Sequence, residues 1–168
     1  MEQRFPGCWH QSDFASWTAH GGLVIHGRSD STLNARGVRI GTAEIYAVLS
    51  EMPDLSDAVA VGQRIDTDSR VVLLVTLADG ATLDDELVGR ITTNLRERCS
   101  PRHVPSVVIA VADLPRTPNG KLMELLVADL INGDEPRGLS SVANVESIAA
   151  VTQAGESLSV PNPPVDGS

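Results

Sequence analysis

The stretch VVLLVTLADGATLDDELVGRITTNL, residues 71–95, changes its apolar period half-way along. Residues 71–77 are apolar except for Thr76 and do not alternate, the pattern of a strand covered on both faces. Asp79-Gly80 then mark a turn. Thr82 is expected to open a helix, with Asp84, Asp85 and Glu86 in its first turn at the positive end of the dipole. Leu87, Ile91 and Leu95 recur at helical spacing as its buried stripe, Val88 widens it, and Ser100-Pro101 ends it. A doubly covered strand followed by an amphipathic helix points to a mixed α and β fold.

The same reading extends outward. Residues 107–111 and 58–61 are strand candidates, as are the shorter 23–26 and 38–40 on either side of a Gly- and Arg-bearing loop. Thr42 is expected to cap a helix carrying Ile45, Val48, Leu49 and Met52, which Pro53 stops. A last helix bears Leu122, Leu125, Leu126, Leu130 and Ile131, with Gly133 as its stop. The expected fold class is α+β: a small antiparallel or mixed sheet of about three central strands, helices packed on it, and a short N-terminal hairpin. Residues 1–22 hold an aromatic cluster without period, and an exposed cluster of that kind is expected to lie against something larger. Residues 23–133 read as the compact domain. Residues 134–168 read as a small, polar tail in which 142–151 can form a short helix and the chain after 152 is largely disordered.

Composition narrows the function. The chain has 168 residues and a net charge of −9, so nucleic acid and anionic membranes are poor electrostatic partners. No stretch approaches the ~18–20 apolar residues of a membrane span, and no signal peptide is expected. Cys8 and Cys99 are too far apart for a disulfide framework; both read as free thiols in a reducing, cytoplasmic setting. His10, His20, His26 and His103 have no metal-ligand spacing, so no metal site is expected. His103 reads as a packed or capping residue, and Cys99 as part of a core stripe. Only five aromatic residues occur, and Tyr46 is the last of them. Among 13 basic side chains, Lys121 is the sole lysine.

Two loops can carry chemistry. In GRSDSTLNARGVRIGTAEI, residues 27–45, Arg28, Arg36 and Arg39 stand among glycines that let backbone approach a ligand. Arginine forks suit phosphate or ribose oxygens; a turn whose arginines pair with local acids such as Asp30 and Glu44 is the plainer alternative. In LPRTPNGKL, residues 114–122, Pro115, Pro118 and Gly120 make a shaped turn. It presents Lys121 at the start of a helix, where a compact cation can stabilise charge growing on a phosphorus or carbonyl centre. A surface lysine at a helix end is the alternative there.

The order GRSDSTLNARGVRIGTAEI, SPRHVP, LPRTPNGK resembles the C-terminal domain of adenylate-forming acyl-CoA synthetases. GRSDSTLN, GVRIGTAEIY and SSVANVESI are similar to the acetoacetyl-CoA synthetase branch, and the likeness covers about residues 5–151. Enzymes of this family join an acid to AMP at the expense of MgATP, then transfer the acyl group to CoA, the C-terminal domain turning as a lid between the steps. The resemblance implies no covalently bound cofactor; ATP with Mg2+ and CoA are substrates. It implies that Lys121 is the catalytic lysine of adenylation. Asp13 and Arg28 fall on ribose-binding positions, and Arg39 on one facing the ATP phosphates. Asp30 falls on the hinge, Gly37 on the passage for the pantetheine arm, and Arg96 on a position for the CoA nucleotide phosphates. Ser12 departs from the family pattern, which has Gly before the ribose-binding Asp. A solvated helical arginine is the rival reading of Arg96. FPGCWHQSDF resembles the end of the large N-terminal adenylation domain, which is expected to be the missing partner, in cis or in trans. The chain is accordingly expected to be the lid portion of an acetoacetate–CoA ligase, catalytically incomplete alone. A binding module acting in trans, or an inactive gene fragment, are the alternatives.

Overall fold

The computed structural model describes residues 13–28, 33–35, 38–66 and 68–159, and among them the side chains of 16–24, 33, 40–66 and 68–158. A three-stranded sheet lies at the centre, built from β5 (Leu55–Ile65), β6 (Asp68–Leu77) and β7 (Val107–Ala110) in that spatial order. β5 and β6 run antiparallel through a tight turn, whereas β7 joins β6 in parallel after a crossover through α2 (Asp85–Arg98). The expected mixed α+β sheet is what forms.

Both faces of β6 are covered. Val71, Leu73 and Val75 face a core shared with Ile45, Val48 and Leu49 of α1 (Thr42–Leu49) and Leu87, Ile91 and Leu95 of α2. Val72 and Leu74 face a second core, with Val127 and Ile131 of α3 (Glu124–Asn132) and Val151 and Ala154 of α4 (Glu146–Ser159). The unbroken apolar run at 71–75 therefore reflects two helical layers with a sheet between them. No aromatic ring is in either buried set; Tyr46 packs at the edge of the first.

Several expectations are corrected. The cap of α2 is Asp84, whose carboxylate accepts the Leu87 N–H at 2.8 Å, so the helix begins beyond Thr82. Gly41 precedes α1, and Thr42 is its buried first residue rather than its cap. The strand candidates at 23–26 and 38–40 both form, each in a hairpin of its own. β2 (Leu23–Arg28) pairs with β1 (Asp13–Trp17), and β4 (Val38–Ile40) pairs with β3 (Leu33–Ala35). The proposed boundary at residues 22/23 thus falls in the turn of the β1–β2 hairpin, whose arms pair across it. At the C-terminal end, α4 continues to Ser159, well past 152. Small residues explain the misreading: a Cβ at Gly155 would come within 2.9 Å of the Leu130 carbonyl oxygen, so α4 lies almost on the α3 backbone and packs with little apolar bulk. Residues 160–168 lie outside the described residues.

The outer edge of β5 is closed by a side chain. The Asn132 amide donates to the Gly62 carbonyl at 2.9 Å and its oxygen accepts the Arg64 N–H at 2.8 Å, the two bonds a further strand would have made. Gly133, left-handed at φ 66°, ends α3 as the sequence implied.

Candidate functional site

Leu114, fully buried in the second core, anchors the chain as it leaves β7, and Leu122 packs against the same cluster on the way back. Between them the chain doubles over. Arg116 and Leu122 form an antiparallel bridge, the Met123 N–H donates to the Pro115 carbonyl at 2.9 Å, and the Thr117 N–H donates to the Lys121 carbonyl at 2.9 Å. The Gly120 N–H closes the turn onto the Thr117 carbonyl at 2.8 Å. Pro118 sits where its fixed φ suits the turn, and Gly120 takes the left-handed φ of 74° that a side chain resists. The Lys121 N–H also donates to Thr117 Oγ1 at 3.1 Å. Lys121 therefore belongs to the returning arm of a hairpin, three residues before α3 begins, rather than to the helix start.

Two further groups grip this hairpin. The Arg116 guanidinium donates to the Gly120 carbonyl at 2.6 Å and to the Asp57 carboxylate on β5. Asn144 accepts the Arg116 N–H at 2.8 Å and donates to Asp113 Oδ2 at 2.6 Å and to the Leu114 carbonyl at 2.9 Å. The Ala143 N–H adds a bond to the Arg116 carbonyl at 2.8 Å. The outcome is a braced turn with an exposed lysine, whose ammonium makes no hydrogen bond or ion pair among the described residues. A cation presented in this way is free to meet an anionic centre brought from outside.

The other expected site residues are distributed differently. Asp30 and Gly37 lie outside the described residues. Asp13, Arg28 and Arg39 are placed by their backbones alone: Asp13 pairs with Arg28 across β1–β2, and Arg39 with Asn34 across β3–β4. Arg96 is on the exposed side of α2, away from the Lys121 turn, where it lines a hollow of about 690 Å³ with Arg70 and Arg102. Arg70 and Arg102 escaped the sequence reading, because nothing local marks an arginine as lacking an acidic partner. His103 is the packed, capping residue expected: its Nδ1 lies 2.9 Å from Ser100 Oγ and its Nε2 3.2 Å from a Glu44 carboxylate oxygen. Cys99 is a free thiol packed against the first core, and burial, then nearby Glu44, push its pKa up, as befits an inert thiol. Cys8 lies outside the described residues. Among the described residues no helix is long and apolar enough to cross a membrane.

Residues 44–121 match the family model of the AMP-binding enzyme C-terminal domain, and the match ends on Lys121. The chain belongs to that family. It is 50% identical over 145 residues to acetoacetyl-coenzyme A synthetase of Rhizobium meliloti, covering 86% of this chain and 22% of that protein. It is 42% identical over 137 residues to malonamoyl-CoA synthetase vrtB of Penicillium aethiopicum, covering 79% of this chain and 19% of that protein. The solved acetoacetyl-CoA synthetase from Streptomyces lividans superposes with a TM-score of 0.79 at 36% identity, over 92% of this chain and 24% of that one. The chain thus spans about a fifth of the length of the relatives it matches (22% and 19%). The domain fold and the acetoacetyl-CoA synthetase likeness read from the motifs both hold.

Proposed function

We propose that this domain supplies the lysine of an AMP-forming acid–CoA ligase acting on acetoacetate, in concert with an adenylation domain in cis or in trans. The observation that carries the reading is the exposed Lys121, without a side-chain partner among the described residues, on a turn braced by Arg116 and Asn144. In adenylation a carboxylate oxygen attacks the α-phosphorus of MgATP, pyrophosphate leaves, and an acyl-adenylate forms. The CoA thiolate then attacks the acyl carbon and AMP leaves. The Lys121 ammonium would bridge the attacking carboxylate and the α-phosphate, aligning one and offsetting charge on the other. Mg2+ enters with ATP as part of the substrate. Asp13, Arg28 and Arg39 belong to the same reading as nucleotide contacts, Asp30 as the hinge, Gly37 as the pantetheine passage, and Arg96 as a contact to CoA.

Acetoacetate is favoured by the 50% identical relative, an acetoacetyl-coenzyme A synthetase. The malonamoyl-CoA synthetase at 42% identity widens the class to acids with a carbonyl at the β position, a feature common to both acyl groups. The test is Lys121→Ala, assayed together with an adenylation domain of this branch. Acetoacetate-dependent ATP–pyrophosphate exchange is expected to fall by about 100-fold or more, while thioester formation from supplied acetoacetyl-adenylate is spared. Equal loss of both half-reactions overturns the role. Exchange activity from the 168-residue chain alone would overturn its need for a second domain.

A further inference from the structure

SSVANVESI, residues 140–148, lies beyond the stretch 44–121 that matches the family model, yet the fold returns it to the Lys121 turn. Where Arg116 and Leu122 pair, the bonds run from Thr117 to Lys121 and from Met123 to Pro115. The main-chain N–H and carbonyl of Arg116 itself therefore point out of the hairpin, as they do along an open sheet edge. Residues 143 and 144 close both. The Ala143 N–H donates to the Arg116 carbonyl at 2.8 Å, and Asn144 Oδ1 accepts the Arg116 N–H at 2.8 Å.

Asn144 is fitted to this place and is itself held. Its amino group donates to Asp113 Oδ2 at 2.6 Å and to the Leu114 carbonyl at 2.9 Å. A main-chain donor on one side and two acceptors on the other fix which end of the amide faces which. Aspartate there would set oxygen against oxygen, because Asp113 is occupied on its other oxygen by the Leu114 N–H at 2.8 Å. Behind the side chain, the Asn144 carbonyl accepts the N–H and the hydroxyl of Ser147, at 3.0 and 2.6 Å, and Ser147 is buried. Val151 and Ala154 then root α4 in the second core, the same core that buries Leu114. The outer edge of the hairpin is thus tied to a packed helix.

We propose that Asn144 is a positioning residue for Lys121: by closing the outer edge of the 113–116 arm, it holds the returning arm, and so the lysine, in line with the substrate anions during adenylation. A two-stranded ribbon alone is a weak platform in water. Alignment of reacting groups is lost over displacements of about 1 Å, so a platform fixed on both edges matters to rate more than to binding. Asn144 touches no substrate and acts through the turn. Its part in adenylation rests on the ligase reading of Lys121; its hold on the turn does not.

Two measurements separate the hold from its role. In the full chain alone, amide hydrogen exchange at Arg116 and Thr117 reads the turn, and Asn144→Asp is expected to speed it about tenfold with the circular dichroism unchanged. With an adenylation domain of this branch supplied, the same variant is expected to slow acetoacetate-dependent ATP–pyrophosphate exchange about tenfold. The loss falls on kcat, the KM for ATP is unaltered, and thioester formation from supplied acetoacetyl-adenylate is spared. Adding Asp113→Asn puts a donor opposite the new carboxylate and is expected to recover about threefold or more of the exchange activity. Asn144→Ala is expected to show the same losses with no recovery on adding Asp113→Asn. Ser157→Ala, which removes a bond within α4 alone, is expected to change neither measurement. Unchanged amide exchange in Asn144→Asp, equal loss in both half-reactions, or a double variant that recovers nothing each overturns the proposal. Faster amide exchange with undiminished pyrophosphate exchange, where Lys121→Ala lowers it, overturns the positioning role and leaves the ligase reading standing. A silent Lys121→Ala overturns that reading and the role together, while the amide measurement still reports the hold on the turn.

Discussion

Arg116 serves the turn with one planar fork: one amino group holds the Gly120 carbonyl and another the Asp57 carboxylate. That geometry fastens the tip of the hairpin to β5, and with it the starting point of the Lys121 side chain. Lysine carries charge but has no fork, so it cannot hold both acceptors in this arrangement. Arg116→Lys is therefore expected to slow adenylation about tenfold or more while the domain stays folded. The matching readout is pyrophosphate exchange in the assembled enzyme, with thioester formation from supplied adenylate little changed. Comparable loss in both half-reactions would point to a general folding defect. Proline and glycine in LPRTPNGKL announced a shaped turn, and a shaped turn is present. The grip of Asn144 on Arg116 was not legible, since the two lie 28 residues apart and meet only through the tertiary fold.

At the scale of elements, local pattern was informative wherever apolar bulk set it. Residues 71–75 of the expected strand and the stripe Leu87, Ile91, Leu95 are core residues in the places their spacing implied. It was uninformative where closeness replaces bulk. The contact of α4 with α3 depends on Gly155, which has the Leu130 carbonyl at 2.9 Å and the Ile131 Cα at 3.2 Å from any added Cβ. Those neighbours are backbone atoms and cannot turn aside. Gly155→Ala should lift α4 from α3 and cost about 1–3 kcal/mol despite alanine's better helix propensity. A shift in the urea midpoint measures this; an unchanged or higher midpoint would show that the crossing has room. The caps illustrate a similar limit. Thr82, Asp84 and Asp85 are all plausible N-terminal residues by composition, and only the bond from the Leu87 N–H to Asp84 selects one of them.

For the molecule as a whole, charge pairing makes stability depend on acid. Asp129 is 4% exposed and is bound by both the guanidinium and the backbone N–H of Arg137. The Arg137 guanidinium holds its carboxyl below the usual range. A carboxylate depressed in the folded state contributes stability that is complete above its unfolded value of 3.8 and is lost as pH falls below it. Glu51, Asp54 and Asp134 shift the same way on exposed pairs, where water screens the effect. Unfolding midpoints should be flat from pH 7 down to about 4 from these groups and drop below it. Arg137→Ala should cost about 2 kcal/mol at neutral pH and less at pH 3, where the stranded carboxyl is protonated. A penalty that does not shrink in acid would argue against this account. The distribution of the other arginines belongs to this scale too: Arg98 reaches Glu51 across 47 residues of sequence, so which guanidiniums are left over becomes visible only once the chain is folded.

A core assembled almost wholly from aliphatic side chains also dictates how the domain can be watched. Trp17 stands 78% exposed on the β1–β2 hairpin, so its emission reports that hairpin and barely registers loss of the packed layers. Among the described side chains, the interior has one chromophore, Tyr46. The Tyr46 hydroxyl accepts the Ala60 N–H at 3.3 Å, and burial, with Glu124 nearby, raises its pKa above the ordinary 10. Alkaline titration of phenolate absorbance thus becomes an optical gauge of core integrity, silent just above pH 10 while the layers stay packed and bright once they part.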